Sequence, residues 1–260
     1  AAFDAAQAGH TEGAAQRAAA FERFAVLGFP GARDEAWKYT SLRRLEARRF
    51  PARDAAGTPA ALPAPLAGHR VAIVDGRMRA DLSTGGLPAG LQLRSLAEAR
   101  TAGESLAALL RVGQGGGTER FAALNAALCP DVALLDVAAG ASTEPVEFVV
   151  TSTAAEPGMS HPRLVIRAAR GSTASIVLRH LGDETERLVN SVVDVEVGPD
   201  ATVHLYRLLD NGARTFHIER IEATVAQRGA VIVHDAQLGG GLARLDLNAR
   251  LAAPEAAAEL

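Results

Sequence analysis

Hydrophobic positions change rhythm about halfway along the chain. Up to about residue 60 they recur at helical intervals. In TEGAAQRAAAFERFAVLGFPG, Thr11 fits an N-cap, Phe21, Phe24 and Leu27 fall at helical spacing, and Gly28 and Pro30 end the helix. The WKYT segment and a short helix carrying Leu42 and Leu45 follow. GTPAALPAPLAG (57–68) reads as a Pro/Ala linker too poor in bulky side chains to pack well. RVAIVDGRMRADL (70–82) predicts two strands about an Asp-Gly turn. SLAEARTAGESLAALLRV (95–112) predicts one helix or two around Gly103. TERFAALNAALCP (118–130) predicts a helix capped by Thr118 and stopped by Pro130.

From about residue 132 short alternating strands take over, and they repeat. PVEFV at 145, ASIVL at 174, ATVHL at 201, GAVIV at 229 and AAAEL at 256 line up at intervals of 29, 27, 28 and 27 residues. Each of the last four is preceded by another strand (RLVIR, VVDVEV, RIEATV, LDLNARL), joined by turns such as GPD or AQR. Two strands per unit at a fixed period predict a parallel β-helix, in which each coil buries its face against the next. The competing antiparallel sandwich predicts frequent turns without this recurrence. The expected fold is mainly β, with an N-terminal helical domain and linker over 1–68, a mixed α/β connecting segment over 69–131 and incomplete β-helix coils over 132–260. Alternation places Ile176, Leu178, Val203, Leu205, Val231 and Val233 inside. The outward positions of the second strands, Val177, Arg179, His204, Tyr206, Ile232 and His234, mix apolar and polar groups and suit a covered interface face. Those of the first strands, Asp194, Glu196, Glu222 and Asp246, suit a solvated acidic face.

Composition narrows the function. Hydrophobic residues make up 48% and aromatics only 4%, so the core is aliphatic. A net charge of −3 argues against nucleic-acid binding. The single cysteine, Cys129, excludes internal disulfides and a multi-cysteine metal site within one chain, suits a reducing compartment and reads as a small buried hydrophobe. The chain has no apolar run of membrane-spanning length and no signal-peptide pattern, so a cytoplasmic location is expected. It starts without Met and stops at APEAAAEL in mid-pattern, which suggests a longer parent. An end at Leu260 would expose a parallel-strand edge prone to association.

Candidate chemistry is sparse. His180, His204, His217 and His234 occupy different offsets in the repeat, so they read as isolated histidines rather than a metal site. GQGGGTER lacks the Lys-Ser/Thr of a phosphate-binding loop, and the arginines of RRLEARRF read as a solvated helix face. Asp194 and Glu196 are weak candidates for a carboxylate pair acting on polysaccharide, with no aromatic nearby in the repeat to hold a sugar. Trp37 and Tyr39, close together in an aromatic-poor chain, read as buried structural anchors. No catalytic or metal residue is assigned.

The ordered combination of DEAWKYTSL (34–42), VAIVDGRM (71–78), LPAGLQLRSLAEA (87–99), FAALNAAL (121–128), HPRLVI (161–166) and LVNSVVDVEVGPDATVHLYRLLD…TFHIERIEATV (188–225) resembles the SufD family, scaffold subunits of the SUF iron–sulfur cluster assembly machinery. The WKYT segment and the lack of a cysteine cluster favour SufD over its sister SufB. The resemblance implies an N-terminal helical domain, a right-handed parallel β-helix and a C-terminal helical domain. It also implies a non-catalytic role in a complex with SufB and the ATPase SufC. SufC would bind the ATP, and the cluster would be built transiently at the SufB–SufD interface. The family's C-terminal docking domain and cluster-associated histidine lie beyond this stretch, so no cofactor is expected on this segment alone. A homodimer is the other arrangement. A β-helix enzyme on polysaccharide and a SufB-like paralogue are the alternative readings.

Overall fold

The computed structural model describes residues 13–31, 33–51, 57–59, 61–84, 86–113, 119–153 and 157–260; the expected caps Thr11 and Thr118 and the glycine run from 114 lie outside them. Two sheets face each other. The first holds β1 (His69–Val74), β2 (Arg77–Met78), β5 (Val146–Thr151), β8 (Thr173–Leu181), β10 (Thr202–Asp210), β12 (Ala230–Gln237) and β14 (Ala257–Glu259). The second holds β3 (Leu91–Arg94), β4 (Ala133–Val137), β6 (Gly158–Ser160), β7 (Arg163–Ala168), β9 (Arg187–Val197), β11 (Thr215–Val225) and β13 (Leu242–Leu251). All pairings are parallel except β1–β2 and β3–β4, and the coils form a β-solenoid of about four turns. The Asp-Gly hairpin joins β1 to β2 with both turn residues at positive φ, 48° and 83°. Strands β1 to β3, from the segment read as connecting, already belong to these sheets.

Strand alternation explains the core. Ile176, Leu178, Val203, Leu205, Val231 and Val233 are buried between the sheets against Val193, Val195, Ile221 and Val225 from the opposite one. The register departs from the repeat read in the sequence. Val146 pairs with Ile176, Ala174 with Val203, Val203 with Val231 and Ala230 with Ala257, giving intervals of 30, 29, 28 and 27. The first coil-to-coil step thus differs by one residue and the second by two, while the last two agree. An even slip keeps the same face inward; an odd one exchanges faces.

Each coil turns a corner through one residue in the left-handed region: Gly140, Gly171, Asp200, Arg228 and Glu255. The corners stack, because Gly140 donates its N–H to Arg170, Gly171 to Pro199, Asp200 to Gln227 and Arg228 to Pro254. Asp200 also joins Arg170 and Arg228 of the flanking corners at 2.9 and 2.6 Å. At Gly198 a Cβ would meet the Ala168 carbonyl oxygen at 2.7 Å, so glycine lets the coils approach.

Helices α1 (Ala14–Leu27), α2 (Arg43–Glu46), α3 (Leu96–Thr101), α4 (Leu106–Leu109) and α5 (Glu119–Leu128) accompany the second sheet. The 95–112 segment is two short helices, the first opened by a Ser95/Glu98 capping box. Helix α5 lies over β9 and carries α1, building a second core from Trp37, Leu42, Leu45, Phe121, Leu124, Leu188, Phe216 and Ile218. Trp37 is buried, 5.5 Å from the Phe121 ring on one side, with the Arg244 guanidinium 4.0 Å over its ring. Tyr39 is not an anchor of this kind: its residue is 92% exposed, with the Lys38 ammonium 5.4 Å from its ring centre. The 3₁₀ turn Glu35–Trp37 aims the tryptophan inward, and two residues later the chain has turned away.

The Pro/Ala segment does find a place, by polar means. It runs along the outer face of the first sheet, where Arg70 donates to the Pro63 carbonyl (2.8 Å) and Arg179 to that of Ala64 (3.4 Å). The Leu66 N–H donates to the buried Glu147 carboxylate.

Candidate functional site

At the end of the coils opposite the stacked corners the interior ceases to be aliphatic. On β10 the inward row Val203, Leu205, Arg207, Leu209 contains a guanidinium; on β12 the buried row Val231, Val233 runs on into Asp235, which is exposed; β8 ends its row in His180. The opposite sheet answers with Ser191 on β9 and His217 and Glu219 on β11. Alternation alone sends these groups inward, because each sits an even number of residues from a buried aliphatic.

Glu219 is the hub. His180 Nε2 lies 3.1 Å from its Oε1 and His217 Nε2 3.2 Å from its Oε2. The Ser191 hydroxyl donates to Oε1 at 2.9 Å, and Arg207 donates its Nε–H to Oε2. A second Arg207 N–H reaches Asp235, its register neighbour on the next coil. The Asn211 amide lies 3.1 Å from His217 Nδ1, and the two imidazole rings meet edge to face at 4.5 Å. Burial would push the Glu219 carboxyl up, but the Arg207 guanidinium and the two imidazoles outweigh it and hold the group well below the usual carboxylate range. His217 is pushed down to about 4, by burial and by His180, with Glu219 opposing. Four polar groups therefore saturate one buried carboxylate, and His180, His217 and Glu219 offer ligand atoms all within 4.8 Å of one another.

These are not isolated histidines, as the offset argument had them. Two of the four meet because they come from opposite sheets, which a comparison of offsets along one strand series does not test. Arg207 and Glu219 were missed too, although a signal was present: a charge in the inward register of an otherwise aliphatic strand.

The six residues read as an interface face do share the outer surface of the first sheet. Ser175, His204 and Ile232 form one cross-coil row and Val177, Tyr206 and His234 the next. The Tyr206 ring stacks between His204 (6.4 Å) and His234 (5.2 Å). Arg179 lies under the Pro/Ala segment, while Tyr206 and His234 are exposed. The acidic row on the second sheet is not a solvated face. Asp194 is buried against Arg163 at 2.7 Å, Glu196 pairs with Arg111 and Arg167, Glu222 with Arg220 and Asp246 with Arg244. With Asp194 and Glu196 both engaged by arginines, neither is poised as a glycosidase carboxylate.

Helix α5 is fixed by a further buried polar seam. Asn125 donates to the carbonyls of Pro162 (3.0 Å) and Asn190 (2.8 Å), and Asn190 donates to the Phe121 carbonyl (2.9 Å). His161 sits beside it, with Nδ1 3.2 Å from the Asn190 amide. Burial pushes its imidazole down to about 3. Cys129, at the helix end, is buried, and its carbonyl accepts an N–H from Arg17 at 2.7 Å.

The architecture places the chain among parallel β-solenoid proteins, with helices on one broad face and an extended segment on part of the other. Residues 148–260 match the family model of the SUF system FeS cluster assembly, SufBD core domain, which covers β6 to β14 and most of β5. The match supports the SufB/SufD family and does not separate its two branches. No curated protein matches the chain. Among the described residues no helix is long and apolar enough to cross a membrane.

Proposed function

We propose that the chain is a non-catalytic scaffold of SUF iron–sulfur cluster assembly, of the SufD type, acting in the cytoplasm with a SufB-like subunit and a SufC-like ATPase. The observation that carries this reading is the match of residues 148–260 to the SufBD core domain. The solenoid and its N-terminal helices support it, as they are what the resemblance of the DEAWKYTSL-to-TFHIERIEATV series implies. The WKYT segment and the single, buried cysteine favour SufD over SufB. On this reading the iron–sulfur cluster is cargo, held in the assembled complex rather than by this chain alone, and ATP belongs to the partner. The outer cluster of His204, Tyr206 and His234 is the surface offered to a partner, because an exposed aromatic flanked by imidazoles combines apolar area with hydrogen-bonding capacity.

The test is co-expression of the parent protein with the SufB-like and SufC-like proteins of its own source, followed by affinity purification on this chain. Co-purification of both in fixed stoichiometry is expected. Capture of neither would overturn the scaffold reading.

A further inference from the structure

We propose that His180, His217 and Glu219 form a site for one divalent first-row metal ion, of the zinc or ferrous type, inside the solenoid. Two imidazole nitrogens and a carboxylate are the donor set that such ions take. Magnesium and calcium call for more oxygen ligands than are present. A metal bound at ~2.0–2.1 Å spaces tetrahedral ligand atoms about 3.3 Å apart. His180 Nε2 lies 3.1 Å from Oε1 and His217 Nε2 3.2 Å from Oε2, so each imidazole stands near that spacing from its own oxygen of the carboxylate, and the three residues offer ligand atoms within 4.8 Å of one another. The ligands stand on β8 and β11, in the body of the two sheets rather than on loops, so the spacing is built in.

The surroundings are arranged to spare the ligand atoms. Each carboxylate oxygen has two acceptor sites. Ser191 takes one on Oε1 and Arg207 one on Oε2, and the metal replaces the two imidazole contacts that occupy the rest. With the ion on Nε2, the His217 proton sits on Nδ1 and is donated to the Asn211 side-chain oxygen, the amide being turned over; this is the outer contact that orients a ligating imidazole. Charge also points to a cation, since among the described residues one permanently charged group, Arg207, bridges the two carboxylates Glu219 and Asp235. Among the described residues His180 Nδ1 and the Thr215 hydroxyl have no hydrogen-bond partner, and both residues line a void of about 10 Å³. Gly182 and Asn211 also line that void. The assignment stands whether or not the chain works in cluster assembly.

The test uses the full chain, refolded after chelation in the presence of Zn²⁺ alone or Co²⁺ alone, then desalted and assayed for metal. One equivalent per chain is expected, with the intense visible bands of four-coordinate cobalt and a thermal midpoint raised by Zn²⁺. His217→Gln and His180→Gln should each weaken binding at least tenfold and abolish the zinc-dependent rise, while His69→Gln, at the start of β1, retains both. If one interior variant fails to fold by circular dichroism, the other carries the comparison. Less than one equivalent on the folded wild type, or undiminished binding by a folded interior variant, would overturn the site.

Discussion

The two halves of the solenoid interior solve the same problem by opposite means. Near the stacked corners, Ile176, Val203, Val231, Val195 and Ala223 fill the space between the sheets with aliphatic groups of similar size. A few residues along the same strands, His180, Arg207, His217 and Glu219 fill it with charge and hydrogen bonds, and Arg207 reaches from there to the exposed Asp235. The aliphatic half tolerates error: a coil slipped by two residues still presents an aliphatic row inward. The polar half does not, because a two-residue slip would part Arg207 from Asp235 and strand a buried charge. Repetition supplies the attraction, and the charged end supplies the register.

Glu219→Leu is the sharpest way to break this contrast. It removes the partner of Arg207 Nε and leaves a fully buried guanidinium with Asp235 alone, a change expected to cost about 3–5 kcal/mol. Leu205→Ala, in the aliphatic half, leaves a cavity and is expected to cost somewhat less, about 3 kcal/mol. Urea unfolding of both variants measures the difference. A neutral Glu219→Leu beside a destabilising Leu205→Ala would show that the charged end contributes nothing to the fold.

Much of the first half was legible in the sequence and little of the second. The two-strand repeat survives because inward aliphatics recur on every coil, so the fold class and the inward faces of β8, β10 and β12 follow from alternation. The interval errors arose where PVEFV and ATVHL were aligned by the small residue heading each motif; the register is set by Val146 against Ile176 and by Ala174 against Val203. The site was hidden because its members lie on facing sheets. His180 and Glu219 are 39 residues apart, and a one-strand pattern carries no sign that they meet. The acidic row misled for a related reason: Arg163 and Arg111, partners of Asp194, come from other segments of the chain.

His161 sharpens the same contrast from the other side, as a buried polar group with little compensation. Its Nδ1 meets Asn190, its Nε2 has no partner among the described residues, and burial holds it neutral down to about pH 3. Because the folded pKa is depressed, the unfolded chain takes up a proton below about 6.5 that the folded chain refuses. Stability is full above that pH and falls through the window from about 6.5 to about 3, at up to about 1.4 kcal/mol per pH unit. His161→Gln keeps an acceptor for Asn190 and should remove this component. The measurement is unfolding free energy from pH 7.5 to 5 for both proteins. Parallel curves would mean that His161 is not held neutral by the fold.

The smallest effect is expected at Tyr39, and it tests whether an aromatic matters by its identity or by its neighbours. Trp37 and Tyr39 share a sequence context and look equivalent in a chain so poor in rings. The structure divides them: one ring lies between Phe121 and Arg244, the other in solvent beside Lys38. Tyr39→Ala removes no buried area and only one exposed cation–π contact, so it should shift stability by no more than about 0.5 kcal/mol. The same change at Trp37 belongs with the large effects above, since it opens a cavity between α5 and the second sheet. A clear loss of stability in isolated Tyr39→Ala would place that ring against protein rather than water. A loss of partner binding at unchanged stability would instead make Tyr39 part of the contact surface, on the helical side of the molecule and away from the His204–Tyr206–His234 cluster.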